Sequence, residues 1–593
     1  MPITETTFER RSNVTTRPEF NLVREPWIRV RLTDETLAEL SLQDIFERLS
    51  EVSVLNGETP TQDTAVFRLL MAILIRALRS EGVVVAPGGS LAELWRDIYR
   101  SDDLTEIVQE YLAKHSARFD LFDPVAPFFQ VSDLATSKGE HSDASVLIPD
   151  VGPALFSTRT KNDAEGLDAA SAARWLVRLH AYDVSGIKSG AIGDSRVKDG
   201  KGYPIGTGWA GALGSVQLTG PTLRETLLLN LPMSALAVGS FDSDRDLPPW
   251  ERTPDTASAR SADETEADGV VDLLTWQQRR VRLFPSASTA VSGVLIANGD
   301  KLSRSNQFEE PYSAQRFSWD QTKKLGRETW FPRALDPQLT VWRGVQSIFA
   351  EAATGTPLTQ KGPKATVPDR VAPAIKQLQS ELGEAIDEEL GNTPISLTLT
   401  GVSYGTKDAV IETELFETLP TTVALLTSDG AELRHEALLA IDRVLTFRGR
   451  FRWFFRQLLV SAGASPGDYP DKQVATWMDE LQLAFLQWLA GLADHTDPKN
   501  ADLEWRKMFY RITERAIDQA VDDAGPRAAI GRMEETDGTN VLHSSGRYRD
   551  WIMKQLREIT GARIPTARQE PANPTRKAKS KEWIAPGVVE GLI

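Results

Sequence analysis

The 593-residue chain has no cysteine, which removes disulfides, thiolate metal sites and cysteine nucleophiles together. Histidine is scarce. His115, His141, His180, His435, His495 and His543 are scattered, and no two stand three or four residues apart, the spacing by which a helix brings two imidazoles to one metal. Long apolar runs are missing too. The longest clean run in the first strong helical segment is Leu69–Ile75, far short of the ~20 residues that span a bilayer. Met1–Pro18 is polar and lacks the apolar centre of a secretion signal. No His-Glu-x-x-His segment occurs, and carboxylates are too numerous for any pair to stand out as acid and base. The expectation is a soluble, cytoplasmic protein with no membrane contact, no metal or other cofactor, and no enzymatic activity.

The remaining composition is that of an ordinary globular chain, 41% hydrophobic and 25% charged, with length for three or four domains or two large ones. Sixty-seven Lys plus Arg face 83 Asp plus Glu, a net charge of −16. Such a balance opposes general binding to polyphosphate, although screening confines each local patch to about 8–10 Å.

Along the chain, 1–18 reads as a disordered leader, and Phe20–Val30 as a strand interrupted by Pro26. Leu40–Leu49 reads as a short amphipathic helix. Pro60-Thr61-Gln62-Asp63 is a helix start before Thr64–Arg79, where Val66, Leu69, Leu70, Ile73 and Ala77 keep a 3.6-residue period. Two helices follow over 91–116, then an aromatic, proline-broken stretch, and another helix over Asp168–Ala181. Leu223–Leu231 reads as buried, 241–269 as a mobile acidic insert, 374–390 as a helix and Ile395–Gly401 as a strand. From 416 the texture changes to long helical periods at 431–462, 470–494, 500–524 and 545–560, which predict an antiparallel four-helix bundle. The predicted fold class is α+β: a large mixed α/β domain over 19–415, then a bundle over 416–560. A flexible tail over 561–593 carries six basic residues between Arg563 and Lys581.

Between Gly186 and Gly214 there are nine glycines, with Lys188, Arg196, Lys198 and Lys201 among them. Glycine lets another molecule approach backbone N–H groups closely, so this stretch is either a flexible insertion or a surface fitted to a polyanion or a DNA groove. Gly206-Thr207-Gly208-Trp209-Ala210-Gly211 matches the dinucleotide-binding pattern. Gly202–Ile205 is a poor strand and Leu213–Val216 a poor helix start, so the match reads as chance. Over 441–456, Arg448, Arg452 and Arg456 share one helix face while Phe447, Phe451, Phe454 and Phe455 share another. That pattern is a core stripe backed by a basic stripe, which is either simply solvated or touches phosphate.

Several segments come in a familiar order. They are the Phe20–Val30 opening; Pro60–Asp63 followed by Arg68-Leu69-Leu70; Phe119-Asp120-Leu121-Phe122 with Pro127-Phe128-Phe129-Gln130; the glycine-rich stretch before Gly220–Asn230; and Trp342-Arg343-Gly344. Over residues 20–560 the chain resembles the CasA family, the large subunit of the type I-E CRISPR Cascade surveillance complex. The resemblance implies a non-catalytic subunit that reads the protospacer-adjacent motif of double-stranded target DNA from the minor groove. It also implies a start to strand separation (the R-loop) and recruitment of a helicase–nuclease effector. The implied partners are the other Cascade subunits carrying crRNA, which does the sequence reading.

The resemblance assigns a groove-entering glycine loop to Gly186, Ile187, Lys188, Ser189 and Gly190. A basic finger falls to Lys323, Lys324 or Arg316. A wedge hairpin falls to Thr406, Lys407, Asp408 and Ala409, with Lys407 or Asp408 where the family often carries glutamine. A loop contacting the crRNA-bearing complex falls to Phe156, and Arg448, Arg452 and Arg456 become candidate phosphate contacts. Some relatives hold zinc through four cysteines, which this chain cannot. The alternatives from other classes are a structural scaffold subunit that does not read DNA and a nucleotide-dependent enzyme using the 206–211 glycines. The acidic total predicts weak, only mildly salt-dependent binding of free duplex by the isolated chain.

Overall fold

A computed structural model of the chain describes residues 18–149 and 166–561, apart from 262, 287–289, 338, 350–368, 392, 466, 496 and 537–538. Phe156, nearly all of the expected leader and nearly all of the basic tail lie outside the described residues.

The core is organised around the helix Pro60–Ser80. Thr59 caps it with its side chain and proline occupies its first turn, where a missing N–H costs nothing. Sixteen of its 21 residues are buried, so it is enclosed on nearly every side rather than lying amphipathic at the surface. Its start does more than initiate a helix. The Gly57 N–H donates to Asp63 Oδ1 at 2.7 Å and the Glu58 N–H to Gln62 Oε1 at 2.9 Å, fixing the entering chain. Farther along, Arg68 forms a fully buried ion pair with Glu310 at 2.8 and 3.0 Å, and the Trp209 indole N–H donates to the same carboxylate at 2.6 Å.

A three-stranded antiparallel sheet, Leu37–Leu40, Ile28–Leu32 and Val52–Leu55, lies at the start of the chain. The opening strand begins only at Ile28, because Asn21 first closes a turn whose carbonyl accepts from Arg24 and Glu25. A second sheet is built on the hairpin Arg279–Pro285 and Ala290–Asn298. A third joins Ser215–Thr219 to the long hairpin Pro394–Tyr404 and Ile411–Thr422. The expected boundary at 415/416 falls inside that last strand. Pairing runs to Pro394↔Thr422, so the change to helical texture comes at Val423. The helix expected over 374–390 is two, Pro373–Gln379 and Gly383–Leu390.

Residues 241–269 correct the expectation of a mobile insert, because two of their acids, Asp246 and Glu251, are used as anchors. Asp246 pairs with Arg79, Glu251 with Arg76 in a two-bonded contact at 2.7 and 2.6 Å, and Trp250 is buried with its N–H on Tyr111. Composition scores such charges as solvated, whereas Asp246 and Glu251 each have a partner on the helix Pro60–Ser80.

After Val423 come the helices Ala431–Ala462, Tyr469–Ala490, Pro498–Asp523 and Ser545–Thr560, the first three of which share an aromatic core. Phe447, Phe451, Trp477, Trp505 and Phe509 are buried there in mutual ring contact. Trp342 enters the same core from outside, 4.8 Å from Phe485. A Cβ on Gly344 would collide with Leu399, which explains the glycine two residues after the tryptophan. Among the described residues no helix is long and apolar enough to cross a membrane.

Candidate nucleic-acid interface

The glycine loop grows from the C-terminal end of the helix Ala169–Tyr182. Asp183 caps that helix through its backbone N–H on Leu179. Its carboxylate takes Arg279 Nε at 2.5 Å and Lys188 Nζ at 2.6 Å. Burial alone would raise the Asp183 carboxyl, but the two cations outweigh it and hold it below its usual range. Burial in turn draws the Lys188 ammonium below its ordinary value, against the pull of Asp183. Arg279 also donates to the carbonyls of Val184 and Gly206 at 3.0 and 2.7 Å. One buried guanidinium therefore fixes both ends of the segment from which the loop projects.

The loop is a backbone turn held in a small sheet. Lys188–Ser189 pairs antiparallel with Lys201–Gly202, and the Gly190 N–H reaches the Gly200 carbonyl at 3.1 Å. Its two outer glycines differ in kind. A Cβ on Gly190 would lie 2.5 Å from the Gly200 backbone, so this glycine is needed for close packing. Around Gly186 a Cβ meets nothing within 4 Å; that side of the loop is open, and next to it Ile187 is 60% exposed.

The long hairpin brings its tip to the same place. The Ser185 N–H, immediately before the loop, donates to the Asp408 carbonyl at 2.7 Å. The tip Thr406–Ala409 is closed by Gly405 N–H to Val410 O at 3.0 Å, and Lys407 and Asp408 both hold positive φ, 59° and 54°. Left-handed backbone at two ordinary residues is held against a cost of roughly 1 kcal/mol or more each. Here the surrounding clamps enforce it. Tyr404 donates to the Tyr182 carbonyl at 2.9 Å, and Glu414 accepts from Arg178 and from Thr61 at 2.5 and 3.0 Å. Thr406, Lys407, Ala409 and Val410 are left exposed. Hairpin tip and glycine loop thus form one surface.

The 206–211 glycines serve that assembly. A Cβ on Gly208 would strike the Ala181 backbone and one on Gly211 the Tyr404 ring. Only a short 3-10 turn, Trp209–Ala212, follows, with no helix N-terminus to hold a pyrophosphate. Gly463-Ala464-Ser465-Pro466-Gly467 has the spacing of a nucleophile elbow, but it follows the helix Ala431–Ala462 rather than a strand, so it lacks the context such an elbow needs.

The three finger candidates lie on one arm, strand Gln315–Phe317, helix Trp319–Leu325 and strand Trp330–Pro332. Lys323 and Lys324 are exposed in the last turn of the helix. Arg316 is exposed but lays its guanidinium 5.5 Å from the Phe331 ring centre. Asn306 exchanges two hydrogen bonds with the Trp330 backbone, at 2.9 and 2.8 Å, and Arg304 donates to Thr207 at 2.9 Å. Segment 304–306 therefore links the arm to the glycine-rich stretch.

On the helix Ala431–Ala462, Phe447, Phe451, Phe454 and Phe455 are buried and the arginines lie on the other side. Arg452 is committed to Asp471 at 2.6 and 2.9 Å. Arg448 and Arg452 line a cleft of about 520 Å³ together with Glu417, Asp471 and Asp479, and Arg456 is exposed.

The family described as CRISPR-associated protein Cse1 matches residues 21–516. The chain belongs to the Cse1 family. It is similar to the CasA/Cse1 protein of Thermus thermophilus, 29% identical over 278 residues, which is 45% of this chain and 49% of that relative. The match thus spans about half of the curated relative's length. Against the crystal structure of Thermobifida fusca Cse1 the identity is 34%, the coverage 92% of this chain and 98% of that one, and the TM-score 0.77. A chain of a structure described as "CRISPR RNA-guided surveillance complex" shares the fold at 19% identity, covering 91% of this chain and 99% of that one, with a TM-score of 0.66.

Within this Cse1 chain the geometry corrects one point about the loop's charge. Lys188 is turned inward onto Asp183 and Arg196 is bound to Asp194 at 2.9 and 3.0 Å. The loop therefore offers main chain and Ile187 rather than a cation. Sequence reasoning missed Asp183, Arg279, Arg178 and Glu414, the residues that hold loop and hairpin together. The partners stand 96 and 236 positions apart, and no local pattern marks them.

Proposed function

We propose that this Cse1 chain is the large, non-catalytic subunit of an RNA-guided surveillance complex and reads a short motif in duplex DNA through the minor groove. The observation that carries the reading is the hydrogen bond from the Ser185 N–H to the Asp408 carbonyl, 2.7 Å, which joins an open glycine loop to an exposed hairpin tip. A minor groove is about 6 Å wide and offers a degenerate set of acceptors. Bare main chain at Gly186 enters without side-chain obstruction, with Ile187 and Ser189 beside it. The hairpin tip Thr406–Ala409 acts as a wedge that takes the place of a displaced base pair, at an unstacking cost of a few kcal/mol. Its fixed left-handed backbone supplies rigidity where glutamine is absent.

Lys323 and Lys324 act as the basic finger; Arg316, over Phe331, is the weaker candidate. The four C-terminal helices act as a bundle that guides the separated strands, with Arg456 the most available phosphate contact of its stripe. Phe156 contacts the crRNA-bearing subunits, and the same assembly recruits the helicase–nuclease.

The test is reconstitution with the other subunits and guide RNA, followed by binding to targets that differ only in the motif. We expect motif-dependent affinity, weakened several-fold by Lys323→Ala/Lys324→Ala with assembly intact. Equal affinity for all motifs would favour the scaffold alternative.

A further inference from the structure

The small sheet that carries the glycine loop has a third strand position and an outward face of its own. Lys198 and Lys201 bond to each other's backbones in both directions, at 3.1 and 3.0 Å, around Asp199 (φ 53°) and Gly200 (φ 70°). This is a two-residue hairpin turn of type I′, for which Asp-Gly is a preferred pair. Lys201 is also the partner of Ser189, so Lys198, Lys201 and Ser189 stand side by side across the sheet. Side chains alternate between faces. Lys188 and Gly202, the next pair, face inward to Asp183 and Asn298. Ile187 and Tyr203, the residues that flank that pair beyond the sheet, are 60% and 50% exposed.

Both turn lysines are exposed, and neither is ion-paired to a carboxylate among the described residues, unlike Lys188 and Arg196 on the same unit. The result is a ridge with exposed Ile187 and Tyr203 next to the open Gly186, then two exposed lysines on opposed strand positions.

We propose that Lys198 and Lys201 form a phosphate clamp that grips the duplex backbone beside the groove entered by the glycine loop. This deepens the motif-reading proposal and rests on it. Opposed positions in an antiparallel pair hold their Cβ atoms about 4.5–5.5 Å apart, and flexible lysine stems spread from there to successive phosphates, which lie about 3.4 Å apart along the axis of one strand. Charge complementarity selects a polyanion. Continuity with the loop, through Ser189 and its neighbours, selects the DNA that the loop enters. Asp199, at the corner of the turn, is the one carboxylate among the turn's four residues; it keeps the clamp weak enough to release.

The test uses the reconstituted complex and measures target affinity against salt concentration for Lys198→Ala/Lys201→Ala and, separately, Asp199→Asn. Asn-Gly is at least as good a type I′ pair, so the second variant keeps the turn. The lysine variant is expected to flatten the log–log salt slope by about 1–2, at roughly 0.9 per phosphate lost, with the ratio between good and poor motifs unchanged. Asp199→Asn is expected to raise affinity about two- to three-fold at low salt. An unchanged slope in the lysine variant would overturn the clamp, as would loss of assembly with the RNA-bearing subunits, which would make the ridge a subunit contact. The same measurements on Gly186→Asp separate the two proposals. If Gly186→Asp abolishes binding while the lysine variant leaves the slope alone, the clamp fails and groove entry stands. If Gly186→Asp is silent while the lysine variant flattens the slope, groove entry fails.

Discussion

Gly186→Asp in the assembled complex is expected to weaken binding to motif-bearing duplex by about 100-fold, equivalent to ~2.7 kcal/mol. The substitution is informative because the fold accommodates it. The new Cβ meets nothing within 4 Å, and the glycine has no left-handed backbone to lose. What changes is the outer side of the loop, where a carboxylate would face the acceptor-lined floor and phosphate walls of the minor groove; like charges forced together at an interface cost several kcal/mol. Gly186→Ser, with a neutral side chain in the same open space, is expected to bind within a few-fold of the unaltered complex. Gly190→Asp is the wrong control, because its Cβ would press on the Gly200 backbone at 2.5 Å and unmake the small sheet. Equal binding by Gly186→Asp and Gly186→Ser would remove the groove contact.

The second large effect concerns stability. Arg68→Met is expected to destabilise the chain by about 3–5 kcal/mol, because it leaves Glu310 buried and unpaired. The carboxylate is 1% exposed and takes Arg68 at 2.8 Å, with Trp209 and the Tyr312 N–H as its other donors. Arg68→Met/Glu310→Gln is expected to recover more than half of that loss, since a neutral amide keeps hydrogen-bonding capacity without a stranded charge. Urea unfolding followed by tryptophan fluorescence measures both. A single variant within 1 kcal/mol of the parent would mean that water reaches the carboxylate. Because Trp209 sits at the end of the 206–209 segment, where Gly208 packs on Ala181, the same pair also supports the far end of the glycine-rich stretch.

Much of the fold could be read locally. The Pro60–Asp63 start is a cap whose side chains bond neighbouring backbone, and Thr222 with Glu225 forms a capping box before Leu223–Asn230. The Phe face of the helix Ala431–Ala462 follows from spacing alone. In each case the deciding interactions lie within a few turns of chain. The acidic stretch 241–269 reads wrongly for the opposite reason. Two of its carboxylates, Glu251 and Asp246, are held by Arg76 and Arg79 on the central helix, and composition cannot register a partner some 170 positions away. The candidate interface divides along the same line. Glycine density is visible in sequence and the hairpin tip Thr406–Ala409 comes only through the family resemblance, whereas the Asp183–Arg279–Lys188 cluster that turns Lys188 inward is marked by neither. The Lys198-Asp199-Gly200-Lys201 turn had a clear local signal, an Asp-Gly pair between flanking lysines, hidden among nine glycines that read together as one loop.

Groove entry by the loop is tested most directly by a photo-cross-linking amino acid at Ile187, the exposed residue beside Gly186, in the complex bound to a motif-bearing duplex. Cross-links are expected to map to the motif base pairs, and to vanish when the motif is scrambled. Cross-links confined to protein subunits, the same with and without DNA, would contradict it.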